Sequence, residues 1–141
     1  MDFRCFKSLD LTVPAEGAIL IGDNAQGKTS ILEAVCVLLR LQSPRTSTGK
    51  ELARFGTDGC GVAGTFDGHE LTHTTRGAEK KLLIDGEPAR RTADYLAASG
   101  LVVWMGNGDL ELVAGSSEPR RRYLDFLGSQ LFPDYRSALL P

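Results

Sequence analysis

Residues 22–29 read Gly22-Asp23-Asn24-Ala25-Gln26-Gly27-Lys28-Thr29 and fit G-x-x-x-x-G-K-[ST], the phosphate-binding loop. Four apolar residues, Ala18-Ile19-Leu20-Ile21, run into the loop, and an apolar stretch, 31–41, leaves it. The order predicts a short buried strand, the loop and a helix, the context in which this pattern has physical meaning. Glycines at both ends let the backbone curl close to an anion and turn its N–H groups inward as a nest. The helix that follows adds unpaired N–H groups and the positive end of its dipole. Lys28 is predicted to reach the β- and γ-phosphates, and the Thr29 hydroxyl to ligate Mg²⁺. Asp23, Asn24 and Gln26 are placed at the loop mouth, with Asn24 or Gln26 near the γ-phosphate or a water. Ala25 and Ser30 complete the predicted ATP-binding set, residues 22–30.

Other features bound the rest. A chain of 141 residues is about one domain long. At 42% hydrophobic and 24% charged it reads as an ordinary globular chain. The net charge of −2 gives no whole-molecule field for nucleic acid, so DNA binding does not follow from charge. Cys5, Cys36 and Cys60 are odd in number and widely spaced, which suits reduced thiols and a cytoplasmic setting rather than a disulfide frame or zinc site. No apolar run approaches a membrane span, and no signal peptide is evident.

Along the chain, 3–13 alternates at period two and reads as a strand, with 14–17 as the turn after it. Within the 31–41 helix, Ser30, Glu33 and Arg40 form one polar row with Val37 as its exception, and the mostly apolar remainder predicts burial on most sides. Ser43-Pro44 stops it. Residues 50–55 read as a short helix closed by Gly56. A β meander follows at 60–66, 69–75 and 82–84, with Asp67-Gly68 and Asp85-Gly86 as hairpin turns. Residues 91–99 look helical, and 101–105 read as a buried strand that places Trp104 and Met105 in the core. Ser116-Ser117-Glu118-Pro119 signals a helix start. In that helix Tyr123, Phe126, Leu127 and Leu131 share a face; Pro133 interrupts it, and 135–140 resumes a helical pattern.

His69-Glu70-Leu71-Thr72-His73 matches the zinc-hydrolase pattern H-E-x-x-H, which requires a helix. The preceding Asp-Gly turn and the crowd of threonines predict a strand instead. There the two imidazoles would stand roughly 13 Å apart, too far to share a metal. Arg120-Arg121-Arg122 is the dense basic run, either a phosphate contact or the solvated face of an amphipathic helix.

Several stretches together resemble one family. Phe3-Arg4-Cys5-Phe6 is similar to the first strand of RecF proteins, and GDNAQGKTSILEAV at 22–35 to their phosphate loop and helix. Ser43-Pro44-Arg45-Thr46 resembles their SFRT element. LELVAGSSEPRRRYLD at 110–125 resembles LxLVxGxPxxRRxfLD, the most family-specific block. The resemblance implies an α/β fold of the P-loop NTPase class. It implies the N-terminal lobe of an ABC/SMC-type head spanning 1–141, with an antiparallel β subregion at about 60–90 and a helical segment, 117–140, leading toward an arm.

It further implies ATP sandwiched in a homodimer that forms on DNA at single-strand gaps and duplex junctions. The family's roles are repair, replication, recombination and the SOS response, with RecO and RecR as partners in loading RecA. By position, Arg45 and Arg4 become candidate nucleotide or phosphate contacts, and Arg121 and Arg122 candidate DNA contacts. The family's PED is Asn107-Gly108-Asp109 here, the first strand looks clipped, and neither a Q-loop glutamine, a signature motif nor an acidic Walker B strand is recognised. The expectation is therefore a portion of a slow ATPase that alone binds nucleotide weakly and hydrolyses almost none. The alternatives are the head of another SMC-like ATPase, a phosphotransferase, or a non-catalytic nucleotide-binding fragment.

Overall fold

The computed structural model describes residues 1–132, 135 and 138. It divides into two compact units, the first Met1–Gly100 and the second beginning at Leu101.

In the first unit, helix α1 (Lys28–Arg40) lies against an antiparallel sheet of strands β1 (Gly59–Phe66), β2 (His69–Arg76), β3 (Glu79–Ile84) and β4 (Glu87–Pro88), in that order. Local turn chemistry builds the sheet. Asp67 and Gly68 carry φ of 47° and 84°, and Asp85 and Gly86 carry 53° and 85°, the left-handed pair that a two-residue hairpin needs. A third hairpin turns at Gly77 (φ 57°) and starts β3 three residues before the apolar Leu82. Pattern reading misses that start because Glu79-Lys80-Lys81 carries no apolar alternation. The register pairs Val62 with His73 and Leu71 with Ile84. Leu71 is wholly buried, and Phe3, Val37 and Leu52 form a core cluster with Ala34, Cys60 and Val62 packed on it. Burial pushes the Cys36 thiol up to about 11.

Helix α2 (Thr92–Ala98) secures the far end of α1. The last carbonyls of a helix lack intrahelical partners. Tyr95 donates its hydroxyl to Leu38 O at 2.9 Å, and Ser99 donates to Leu39 O at 2.6 Å. Tyr95 is fully buried, which pushes its hydroxyl pKa up to about 12. The polar row of α1 faces inward: Ser30, Glu33, Val37 and Arg40 are all buried, while Leu32 and Val35 are exposed. The helix is thus covered on most sides, as expected: Thr29, Leu32 and Val35 form its one exposed stripe, and the polar row is buried together with Cys36 and Leu39.

Four expectations need correction. Residues 3–13 are not a strand: Phe3 and Phe6 exchange backbone hydrogen bonds across a tight turn at Arg4-Cys5, and 8–14 carry no regular structure. Residues 18–21 are not a buried strand, since Ile19 is 87% and Ile21 91% exposed. Residues 101–105 are not one either, and Met105 is exposed rather than core, although Trp104 is half-buried. Among the described residues these segments meet no strand to pair with, and an extended apolar segment becomes a strand only when another completes its ladder. Finally, the expected helix at 50–55 is a single 3-10 turn, Gly49–Leu52.

In the second unit, a 3-10 turn (Asn107–Asp109), helix α3 (Leu110–Ala114) and helix α4 (Ser117–Leu131) follow one another. Gly106 N–H donates to Asp109 Oδ2 at 2.6 Å and closes the turn. Gln130 holds the backbone of Val102 at both groups, accepting from its N–H at 2.7 Å and donating to its carbonyl at 3.0 Å. On α4, Phe126 and Leu127 are half-buried while Tyr123 and Leu131 are exposed, so half of the expected apolar face is covered. The expected helical pattern at 135–140 lies outside the described residues except for Tyr135 and Ala138; Tyr135 donates its hydroxyl to Asp125 at 2.8 Å.

Candidate phosphate-binding site

The loop expected to hold phosphate is bent by left-handed backbone at Gly22 (φ 155°), Ala25 (65°) and Gly27 (88°). Gly27 is both the N-cap of α1 and a contact point. A Cβ there would lie 2.5 Å from Phe6 Cζ and 2.7 Å from Cys5 Sγ, so the 3–6 turn closes directly on it. Only glycine meets both the backbone angle and the space.

No side chain caps α1, and no carboxylate stands in its first turn. The free N–H groups and dipole of a 13-residue helix therefore open at the loop with no acid in the helix's own first turn to oppose an anion. Lys28 folds back across the loop and donates to Gly22 O at 2.7 Å and Asp23 O at 2.5 Å. Asp23, Asn24, Ala25, Gln26 and Thr29 are exposed, Gly27 and Lys28 half-buried, and Ser30 buried. Among the described residues no group of three or more His, Cys, Asp or Glu side chains is placed to hold a metal ion. A Mg²⁺ here would thus need phosphate oxygens beside the Thr29 hydroxyl, which suits its usual binding to substrate phosphates.

Arg4 and Arg45 converge on Glu33. Arg4 donates Nε to Oε2 at 2.8 Å and Nη2 to Oε1 at 2.6 Å, and Arg45 donates Nη1 to Oε2 at 3.0 Å. Ser43 donates its hydroxyl to Oε1 at 2.5 Å. Burial alone pushes the Glu33 carboxyl up. The bonds from Arg4 and Ser43 and the charges of Arg4 and Arg45 outweigh it and hold Glu33 below the usual carboxylate range. The same bond to Glu33 raises the Arg4 guanidinium further. Sequence reasoning places Glu33 on a polar row without giving it a task; the available signal is a lone acid inside an apolar helix. Ser43 carries no comparable signal.

The remaining candidates fall elsewhere. Arg121 and Arg122 are exposed on α4 in the second unit, whereas Arg120 donates to Leu112 O and Gly115 O at the end of α3. His69 and His73 stand on β2, as the strand reading predicts. His73 is buried, and exposed His69 pairs with Asp85 at 2.8 Å. That bond is the main cause holding the Asp85 carboxyl below its usual range.

A phosphate loop opening a helix, beside an antiparallel sheet, defines a P-loop nucleotide-binding lobe. A family model described as "AAA domain" matches residues 1–90, and the chain belongs to that family. It matches, within the family, the N-terminal portion of RecF. The "DNA replication and repair protein RecF" of Synechococcus sp. (strain JA-2-3B'a(2-13)) is 40% identical over 138 residues, covering 94% of this chain and 36% of that protein. The protein of the same description from Halalkalibacterium halodurans is 36% identical over 141 residues, covering 97% and 38%. The chain thus spans little more than a third of these relatives.

A solved structure of "the recombination mediator protein RecF-ATPrS in RecFOR pathway" superposes with a TM-score of 0.76 at 24% identity, covering 99% of this chain and 39% of that one. One of RecF-ATP gives 0.68 at 27% identity, covering 84% and 34%. The fold is that of the N-terminal lobe of an ABC/SMC-type head. No helix among the described residues is long and apolar enough to cross a membrane.

Proposed function

We propose that this chain is the ATP-binding lobe of a RecF-type DNA-repair protein. The observation that carries the proposal is the bent 22–29 loop running into an uncapped helix, with Lys28 lying across it. On this reading the loop amides take the phosphate chain and Lys28 exchanges the carbonyls of Gly22 and Asp23 for phosphate oxygens. Asn24 or Gln26 meets the terminal phosphate or a water, Thr29 holds Mg²⁺, and Ser30 supports the first turn of the helix. When bound, Mg²⁺ bridges and neutralises the β- and γ-phosphate oxygens. Arg45 is the second phosphate contact. Arg4 is less available, because its guanidinium already serves Glu33 and the Glu51 carbonyl.

The relatives named RecF and the pathway name on the similar structure support the wider role. ATP gates a homodimer in the cytoplasm on gapped or junction DNA, with Arg121 and Arg122 at the DNA, and with RecO and RecR assists RecA loading. Gel filtration with ATP and gapped DNA tests it. The wild-type chain is expected to co-elute with DNA only when ATP is present, and Lys28→Ala not to. ATP binding without any ATP-dependent DNA association would leave a nucleotide-binding fragment and overturn the repair role for this lobe.

A further inference from the structure

Glu33 has no exposed side-chain surface, yet two arginines from separate segments share it. Two positive charges on one carboxylate leave a surplus of one. That surplus is not evenly placed. The fork of Arg4 is spent on both Glu33 oxygens and on Glu51 O at 2.6 Å, and its side chain is 19% exposed. Arg45 gives Glu33 a single nitrogen, and its side chain is 43% exposed. The cation facing solvent is therefore Arg45.

Its place follows from the helix. Glu33 is four residues after Thr29, so the two share a face of α1 with Cβ atoms about 5–6 Å apart. Side chains on a helix lean toward its N-terminus, which here is the loop end. Ser43 fixes the segment that carries Arg45: its Oγ accepts from Arg45 N–H at 3.0 Å and Thr46 N–H at 3.1 Å while its hydroxyl donates to Glu33.

We propose that Glu33 is a positioning residue that aims Arg45 at the terminal phosphate of a nucleoside triphosphate. This rests on the nucleotide reading of the 22–29 loop. The buried carboxylate orders a long side chain before ligand arrives and leaves part of its guanidinium for an anion. Because a diphosphate lacks the group Arg45 meets, Glu33 contributes to the preference for ATP over ADP rather than to nucleotide binding in general.

Competition of ATP and ADP against a fluorescent nucleotide on the whole chain tests this, with thermal melts run alongside. Arg45→Ala is expected to cut the ATP-to-ADP affinity ratio by about tenfold, in line with the loss of one charge-assisted contact. Glu33→Gln is expected to cut it similarly, and the double variant to fall no further than Arg45→Ala. Leu71→Ala, remote on the sheet, should lower the melting temperature and leave the ratio alone. Should Glu33→Gln fail to fold, Ser43→Ala carries the test, with a smaller fall in the ratio. An unchanged or raised ratio in the folded Glu33 or Ser43 variant, or a further fall in the double variant, would overturn the positioning role. Absence of both nucleotides from the wild-type chain would instead sink the loop reading, and this inference with it.

Discussion

The meander at 59–84 and the segments at 7–21 and 101–105 all contain strand-like apolar stretches, alternating at 7–13 and continuous at 18–21 and 101–105, yet they differ in what surrounds them. Each meander strand meets its neighbour across a two-residue turn, and Leu71 ends fully buried. Leu9, Leu11 and Val13 stay about half exposed, Ile19 and Ile21 almost wholly so, and Val103 is 84% exposed. An antiparallel hairpin finds its partner locally, whereas other pairings require chain from far away. An apolar pattern marks a segment that prefers to be a strand; the turn decides whether it becomes one.

Around α1 the contrast repeats in charge rather than in hydrogen-bond ladders. Leu32 and Val35 face out, while Glu33 is inside because Arg4, Ser43 and Arg45 satisfy it. Breaking that side should cost most. Glu33→Ala leaves Arg4 without its main partner, and denaturant unfolding should show a loss of about 3–5 kcal/mol. The pH dependence has a definite sign. The folded Glu33 carboxyl sits below its ordinary value of 4.5. Its contribution is therefore complete above that value and lost as pH falls through the lowered one. Urea midpoints taken between pH 7 and 3 should fall less steeply in Glu33→Gln than in wild type.

Next comes the meander core, where Leu71→Ala should lose about 2–5 kcal/mol on the same assay. Gly27→Ala forces a left-handed alanine against Phe6 and Cys5 and should cost about 1–3 kcal/mol. The smallest effect belongs to the unpaired segments: Ile21→Ser in this chain should stay within about 0.5 kcal/mol. A large loss there would show that 18–21 is packed after all, and the contrast with the meander would disappear.

Much of this was legible in the residues. The helix after the loop, the two Asp-Gly hairpins, the strand character of His69–His73 and the helix start after Ser116 all rest on local chemistry, although the Ser116 hydroxyl makes no capping bond. The strands at 3–13, 18–21 and 101–105 were misread because their pattern is local but their pairing is not. Convergence of Arg4, Ser43 and Arg45 on Glu33 was hidden for the same reason, since it joins residues as many as 41 positions apart in the chain, from Arg4 to Arg45. At the site, the motif placed residues 22–29 without showing that Lys28 lies over the loop or that the 3–6 turn closes on Gly27.

Whether residues 22–29 hold a nucleotide's phosphates is decided by calorimetric titration of the chain with Mg²⁺–ATP. Saturable binding is expected of the wild-type chain, weakened at least about tenfold in Lys28→Ala, whose folded state should be unaltered. Equal affinity in the two proteins, or no heat of binding in either, would contradict it.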